Sequence, residues 1–96
     1  MTSDTATLAT RFRALADPVR LQVLDLLADG PMCVCDLRDA LAIAGNLLSH
    51  HLKVLRKAGL VTSERDGRWV TYRLDEAAVS ELAASIPGAA PRLAHT

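Results

Sequence analysis

The stretch Asn46 to Leu60, NLLSHHLKVLRKAGL, decides the reading of the whole chain, because a helical repeat sorts its residues onto two unlike faces. At about 3.6 residues per turn, Leu48, His51, Leu52 and Leu55 fall at i, i+3, i+4 and i+7 and form one apolar stripe. Asn46, Ser49, His50, Lys53 and Lys57 share the other side. Hydrogen-bonding side chains near the helix start, followed by cations, suit base edges and phosphates better than they suit solvent alone. The expectation is a helix that turns its leucines inward and reads DNA outward. Gly59 fits a C-terminal stop, with Lys57 in the last turn complementing the negative end of the dipole.

Just upstream, Val34, Leu37 and Leu41 give one apolar face of a short helix that begins near Val34, with Asp36 in its first turn. Ile43-Ala44-Gly45 leaves room only for a tight turn, so the two helices form a helix-turn-helix whose second member carries the polar stripe. Downstream of Gly59 the hydrophobic period changes to two. Val70, Tyr72 and Leu74 alternate with Trp69, Thr71 and Arg73, and Leu60 to Arg65 supplies a partner strand. Asp66-Gly67 reads as a type I′ hairpin turn. Arg65 and Arg68 flank it, so the hairpin is a wing with a cationic tip.

The ends of the chain supply three more helices. Leu8, Phe12 and Leu15 repeat on one face between Ala6 and Ala16, after a polar start over Met1 to Thr5 that is expected to fray. Asp17 and Pro18 fit the N-cap and first position of a second helix, which is apolar on most sides through Ala28 and so expected at the centre. Asp29-Gly30-Pro31 stops it. Asp75 can cap a last helix running to Ile86, whose Val79, Leu82 and Ile86 have no evident cover in the preceding segments. That face and the first helix are expected to pair with the same elements of a second copy, giving a homodimer. The expected fold is mainly α with a small β-hairpin: a winged helix-turn-helix of five helices and a two-stranded wing, in one domain over 1–86. The segment 87–96, with two prolines and a glycine, is expected to be a disordered tail.

Composition agrees with this. Of 96 residues, 50% are hydrophobic but only 3% aromatic, so a small core of Leu, Val and Ala in helices is expected. No apolar run is long enough for a membrane span, and Met1 to Thr10 lacks the basic start and apolar segment of a signal peptide, which points to the cytoplasm. The formal net charge is zero, yet Asn46 to Leu74 holds six basic and two acidic residues, a local +4 against −4 elsewhere. Such a patch attracts phosphates and makes binding depend on salt. No acid/base pair, activated nucleophile or phosphate loop is evident, so an enzyme is not expected.

The only cysteines are Cys33 and Cys35. Within a regular helix residues i and i+2 point roughly 200° apart. With Cys33 as an extended N-cap and Cys35 in the first turn, both sulfurs can reach one soft ion. Two buried structural cysteines are the alternative. His50 and His51 diverge by about 100° on a helix, which places His51 on the apolar stripe as a hydrogen-bonded core residue and His50 on the reading side.

Three ordered segments resemble the ArsR/SmtB family of winged-helix repressors: LADPVRLQVLDLL (Leu15 to Leu27), LSHHLKVLRKAGLV (Leu48 to Val61) and DGRWVTYRL (Asp66 to Leu74). The likeness runs from about Ala6 to Leu82 and implies a homodimeric repressor that releases operator double-stranded DNA when an inducer, often a metal or metalloid, binds. CVCDL, Cys33 to Leu37, is similar to the arsenic-responsive members, in which two thiolates at the start of the third helix, joined in some by a third, take As(III) or Sb(III). Here Arg38 stands where that third cysteine would follow, and Ala44-Gly45 replaces the Ser-Gln common before the recognition helix. No Asp/His-rich pattern for zinc or nickel marks the final helix. The candidate DNA-reading set, for which a merely solvated face is the alternative, is Asn46, Ser49, His50, Lys53 and Lys57 with Arg65 and Arg68 of the wing, and the implied inducer site is Cys33 and Cys35. Sensing of Cd(II), Pb(II) or thiol oxidation on the same fold stays open, as does a dimeric module that binds an acidic protein.

Overall fold

In the computed structural model, which describes residues 2–86 and 88, the chain runs α1 (Thr2–Leu15), α2 (Pro18–Leu27), β1 (Met32–Cys33), α3 (Val34–Leu41), α4 (Gly45–Lys57), β2 (Val61–Asp66), β3 (Trp69–Leu74) and α5 (Glu76–Ala84). Met1 and, apart from position 88, the segment 87–96 lie outside the described residues, so the expected tail, with His95 in it, is not described. The five helices and the wing match the expected fold class. The first helix begins earlier than the expected Ala6. With no Pro or Gly before Leu8 to stop it, the helix extends back to Thr2.

Each helix boundary has a local cause. Asp17 is extended (φ −157°, ψ 132°) and its carboxylate accepts from the Val19 and Arg20 N–H groups, while Pro18 opens α2. Asp75 does the same for α5, accepting from the Ala78 N–H at 3.0 Å. At the end of α4, Gly59 takes φ +80°, Leu60 N–H donates to Leu55 O and Gly59 N–H donates to Arg56 O, which together make a Schellman stop. Leu55 and Leu60, the apolar pair of that motif, are both fully buried.

The helix-turn-helix turn is built differently from the expectation. The left-handed residue is Ala42 (φ 54°), which closes α3 through its N–H to Arg38 O, and Gly45 lies inside α4 rather than in the turn. A Cβ on Gly45 would meet the Arg38 side chain at 3.9 Å, so the glycine sits where that arginine lies across the helix start.

The sheet has three strands, in the order β1-β3-β2, where two were expected. Met32 and Cys33 pair antiparallel with Tyr72 and Thr71, so the wing is tied back to the start of α3. Asp66 pairs with Trp69 as the last residue of β2, which moves the two-residue loop to Gly67-Arg68. Gly67 has φ +63°, and Ala42 is the sole non-glycine with positive φ among the described residues, so Arg68 does not share it. Positive φ at the first loop position alone is the type II′ pattern, not the expected type I′.

The core gathers Val23 and Leu27 of α2, Leu37 of α3, Leu48, Leu52 and Leu55 of α4, and Leu60 and Val61 beyond it. Ala14 of α1 and Ala78 and Leu82 of α5 close it. Two expectations are corrected here. Leu82, at 3% exposure, is covered by its own chain, leaving Val79 half-buried on α5, and Ile86, expected in that helix, is exposed beyond its end at Ala84. The second helix is central as expected, through buried Val23 and Leu27 and partly buried Val19, Leu24 and Leu26, except that Leu21 is 51% exposed. Among the described residues no helix is long and apolar enough to cross a membrane.

Candidate nucleic-acid interface and thiol site

α4 divides its residues as its repeat requires. Leu48, His51, Leu52 and Leu55 are buried, and Asn46, Ser49, His50, Lys53 and Lys57 are all exposed. The helix starts without a side-chain cap, since Ala44 at the N-cap has no acceptor to offer the first N–H groups. Nothing local therefore fixes its start; leucine burial and the residues around His51 hold it in place.

His51 is buried at 6% exposure and its Nδ1 lies 3.1 Å from Arg20 Nη1. A guanidinium only donates, so Nδ1 accepts and the imidazole proton is on Nε2. Asp17 Oδ1, 3.8 Å from the same nitrogen, is too far for a hydrogen bond. Arg20 also donates through Nε to Ala14 O at 2.6 Å and through Nη2 to Arg13 O at 3.4 Å. One side chain of α2 thus satisfies the last carbonyls of α1 and the one buried polar residue of α4. Loss of hydration alone would raise the Asp17 carboxyl, but the N–H groups of Arg20 and Val19, with smaller help from the Arg20 charge, hold it below its ordinary value. At the other end of α4, Arg11 Nε donates to Ala58 O at 3.1 Å and Arg11 Nη1 lies 3.9 Å from Glu81 of α5.

Between the start of α3, the exposed side of α4 and the wing lies a cleft of about 610 Å³. Ser49, Lys53 and Arg56 line one wall and Arg65, Arg68 and Trp69 the other, with Cys35, Val34, Leu52 and Tyr72 among the remaining lining residues. The fold therefore brings Ser49 and Lys53 together with Arg65 and Arg68. Asn46, His50 and Lys57 do not line the cleft; Lys57 sits beside Thr10 and Ala58, toward α1. Arg56 was missed from sequence, although it stands at i+7 from Ser49 and so continues its row. Trp69 was assigned to the strand pattern, yet it is 56% exposed beside the wing cations. Arg73 is engaged with Glu64 across the strands at 3.8 Å.

Cys33 is extended (φ −75°, ψ 159°) as the N-cap of α3, with its Sγ accepting from the Asp36 N–H at 3.4 Å. Cys35 follows in the first turn, and both thiols are free and half-buried. This is the backbone arrangement that the i, i+2 spacing needs for convergence. Among the described residues no group of three or more His, Cys, Asp or Glu is placed to hold a metal ion, so these thiols are two donors without a third.

The model of the arsR family of bacterial regulatory proteins matches residues 17–63. The chain is 43% identical over 72 residues to the uncharacterized HTH-type transcriptional regulator MJ1325 of Methanocaldococcus jannaschii, covering 74% of this chain and 81% of that one. It is 41% identical over 73 residues to the arsenical resistance operon repressor of Bacillus subtilis, covering 75% and 70%. With the repressor SmtB of Mycobacterium tuberculosis it shares 52% identity over 62 residues, covering 65% of this chain but only 46% of the relative. Among solved structures, the homodimeric winged helix-turn-helix DNA-binding domain Mb0332 of Mycobacterium bovis superposes with a TM-score of 0.79 at 32% identity, covering 86% of this chain and 78% of that one. These relatives are regulators of transcription, not enzymes. With matches of this extent joined to the wing and the two-faced α4, the chain belongs to the arsR family of bacterial regulatory proteins.

Proposed function

We propose that the chain is a homodimeric operator-binding repressor whose Cys33 and Cys35 take As(III) or Sb(III), with derepression as the output. The observation that carries the DNA reading is the exposure of Asn46, Ser49, His50, Lys53 and Lys57 along one helix, with Lys53, Arg56, Arg65 and Arg68 gathered around one cleft. Ser49, His50 and Asn46 suit base edges, and the cations suit phosphates and the groove beside the wing. For dimerisation, α1 and α5 leave Leu8, Phe12 and Val79 half-buried, and Ile86, just past α5, is 46% exposed. Arg11 would tie this pair of helices to the end of α4.

The chemistry of the donors supports a thiophilic trivalent ion. Thiolates prefer soft ions, and two of them satisfy a pyramidal As(III) once one exogenous ligand completes the set, whereas a tetrahedral zinc site needs four ligands. Cys33 ends the strand that pairs with the wing and caps α3, so an ion drawn onto its sulfur acts on both elements. A coupling of about 1–3 kcal/mol would weaken operator binding about 5- to 150-fold. The test is to replace both cysteines by serine. That variant is expected to hold the operator fragment and to ignore arsenite; release of the serine variant by arsenite would refute the site, and release of the parent by Cd(II), Pb(II) or oxidant but not arsenite would reassign the signal.

A further inference from the structure

Among the described residues the exposed large hydrophobic side chains are Leu21, Leu47, Trp69 and Ile86. Ile86 adjoins the proposed dimer face, and Trp69 lines the cleft beside the wing. Leu47 has neither account. It is 44% exposed on α4, outside the core and not packed against it. A single exposed leucine is ordinary on a protein surface. This one stands on the reading helix, next to Asn46 and one turn before His50, both of them exposed. We propose that Leu47 determines sequence specificity by packing on the 5-methyl group of a thymine in the major groove of the operator. This contact rests on the operator-binding function inferred above and deepens it by naming a base that α4 selects.

Around the helix Leu47 lies about 100° from Asn46 and about 60° from His50. That puts it at the edge of the reading face, on the side away from Ser49 and Arg56, which line the cleft. The groups of an A·T pair suit that edge. Adenine N6 and thymine O4 occupy the middle of the major groove, while the thymine methyl stands out beside its own strand. A helix lying in the groove turns its centre line to the middle groups and its edge to the methyl. Asn46 and His50, nearer the centre, can hydrogen-bond there, and an asparagine suits adenine through N6 and N7. At the edge only an apolar side chain gains by displacing water from a methyl group. The first turns of α4 thus read a step that holds both an adenine and a thymine. A cytosine in the thymine's place presents a bare C5–H, and the leucine loses its contact.

The probe is the protein's own upstream promoter duplex with each thymine in turn replaced by deoxyuridine, which removes the methyl group and keeps the base pair. Covering one methyl group is worth about 4-fold in affinity. Replacing its symmetry mate in the second half-site as well brings the loss to about 15-fold. The parent protein is expected to show these losses at one symmetry-related pair of thymines. Leu47→Ala, an exposed change expected to keep the urea midpoint, should bind the thymine duplex at least as weakly as the parent binds the doubly replaced one, and lose nothing further on replacement. Leu21→Ala, the same change on α2, should keep the parent's pattern. A parent protein indifferent to every replacement, a Leu47→Ala variant as sensitive as the parent, or a Leu21→Ala variant that loses the pattern equally overturns the contact. If the parent fails to prefer this duplex over a scrambled one, the operator reading falls and the contact with it. Sequence preference without a methyl that Leu47 senses removes the contact alone.

Discussion

Replacing Arg20 by methionine should loosen α4 without touching the reading face, and the size of the effect follows from what the guanidinium holds. Its Nη1 meets the Nδ1 of His51, its Nε the carbonyl of Ala14 and its Nη2 that of Arg13. The carbonyls end α1 and can be rehydrated, at about 0.5–1 kcal/mol each. His51 is 6% exposed, so its ring nitrogen would be stranded, at about 1–3 kcal/mol. The expected total is roughly 2–5 kcal/mol, read as a lower urea midpoint at fixed protein concentration. His51→Leu alone should cost less, because Arg20 reaches solvent. In the double variant neither partner is left unmatched, so its cost should fall short of the sum by about 1–2 kcal/mol. Additivity to within about 0.5 kcal/mol would refute the claim that these side chains form one unit.

Other perturbations test other parts. Ala44→Ser gives the uncapped start of α4 an acceptor and should stabilise the fold by about 0.5–2 kcal/mol in the same urea assay. Lys53→Ala should weaken operator binding alike on all sequences and reduce the slope of log K against log salt by about 1. Because the folded Asp17 carboxyl ionises below its ordinary value of about 3.9, its stabilisation is complete above that value and is lost as pH falls through the lower, folded one. Asp17→Asn keeps the cap and should flatten the acid side of a stability profile taken between about pH 3 and 6, leaving the slope at higher pH unchanged.

The parts of the fold legible in the sequence were those fixed by local pattern. The two faces of α4 follow from leucine spacing, the caps at Asp17 and Asp75 from single side chains, and the wing from alternation after Gly59. What escaped depends on partners far along the chain. β1 is two residues long and exists because Met32 and Cys33 pair with Tyr72 and Thr71, a match no local pattern announces. Leu82 looked uncovered because its cover comes from the assembled core. The Asp-Gly dipeptide was placed correctly as a turn signal, but the pairing of Asp66 with Trp69 moved the loop forward by one. Gly45 drew the turn to itself, while strain at Ala42 carries it instead. In the candidate site the α4 cations were legible. Arg56 and the nearness of Cys35 to the wing were not, because a cleft between three elements is a property of their packing.

The central claim is that α4 and the wing face DNA. Amide and side-chain shift mapping of the labelled protein, titrated with its own upstream promoter duplex, tests it most directly. The changes are expected to concentrate at Asn46, Ser49, His50, Lys53, Lys57, Arg56, Arg65 and Arg68, and to vanish for a scrambled duplex at moderate salt. Changes confined to α1 and α5, with α4 and the wing unmoved, would contradict the account.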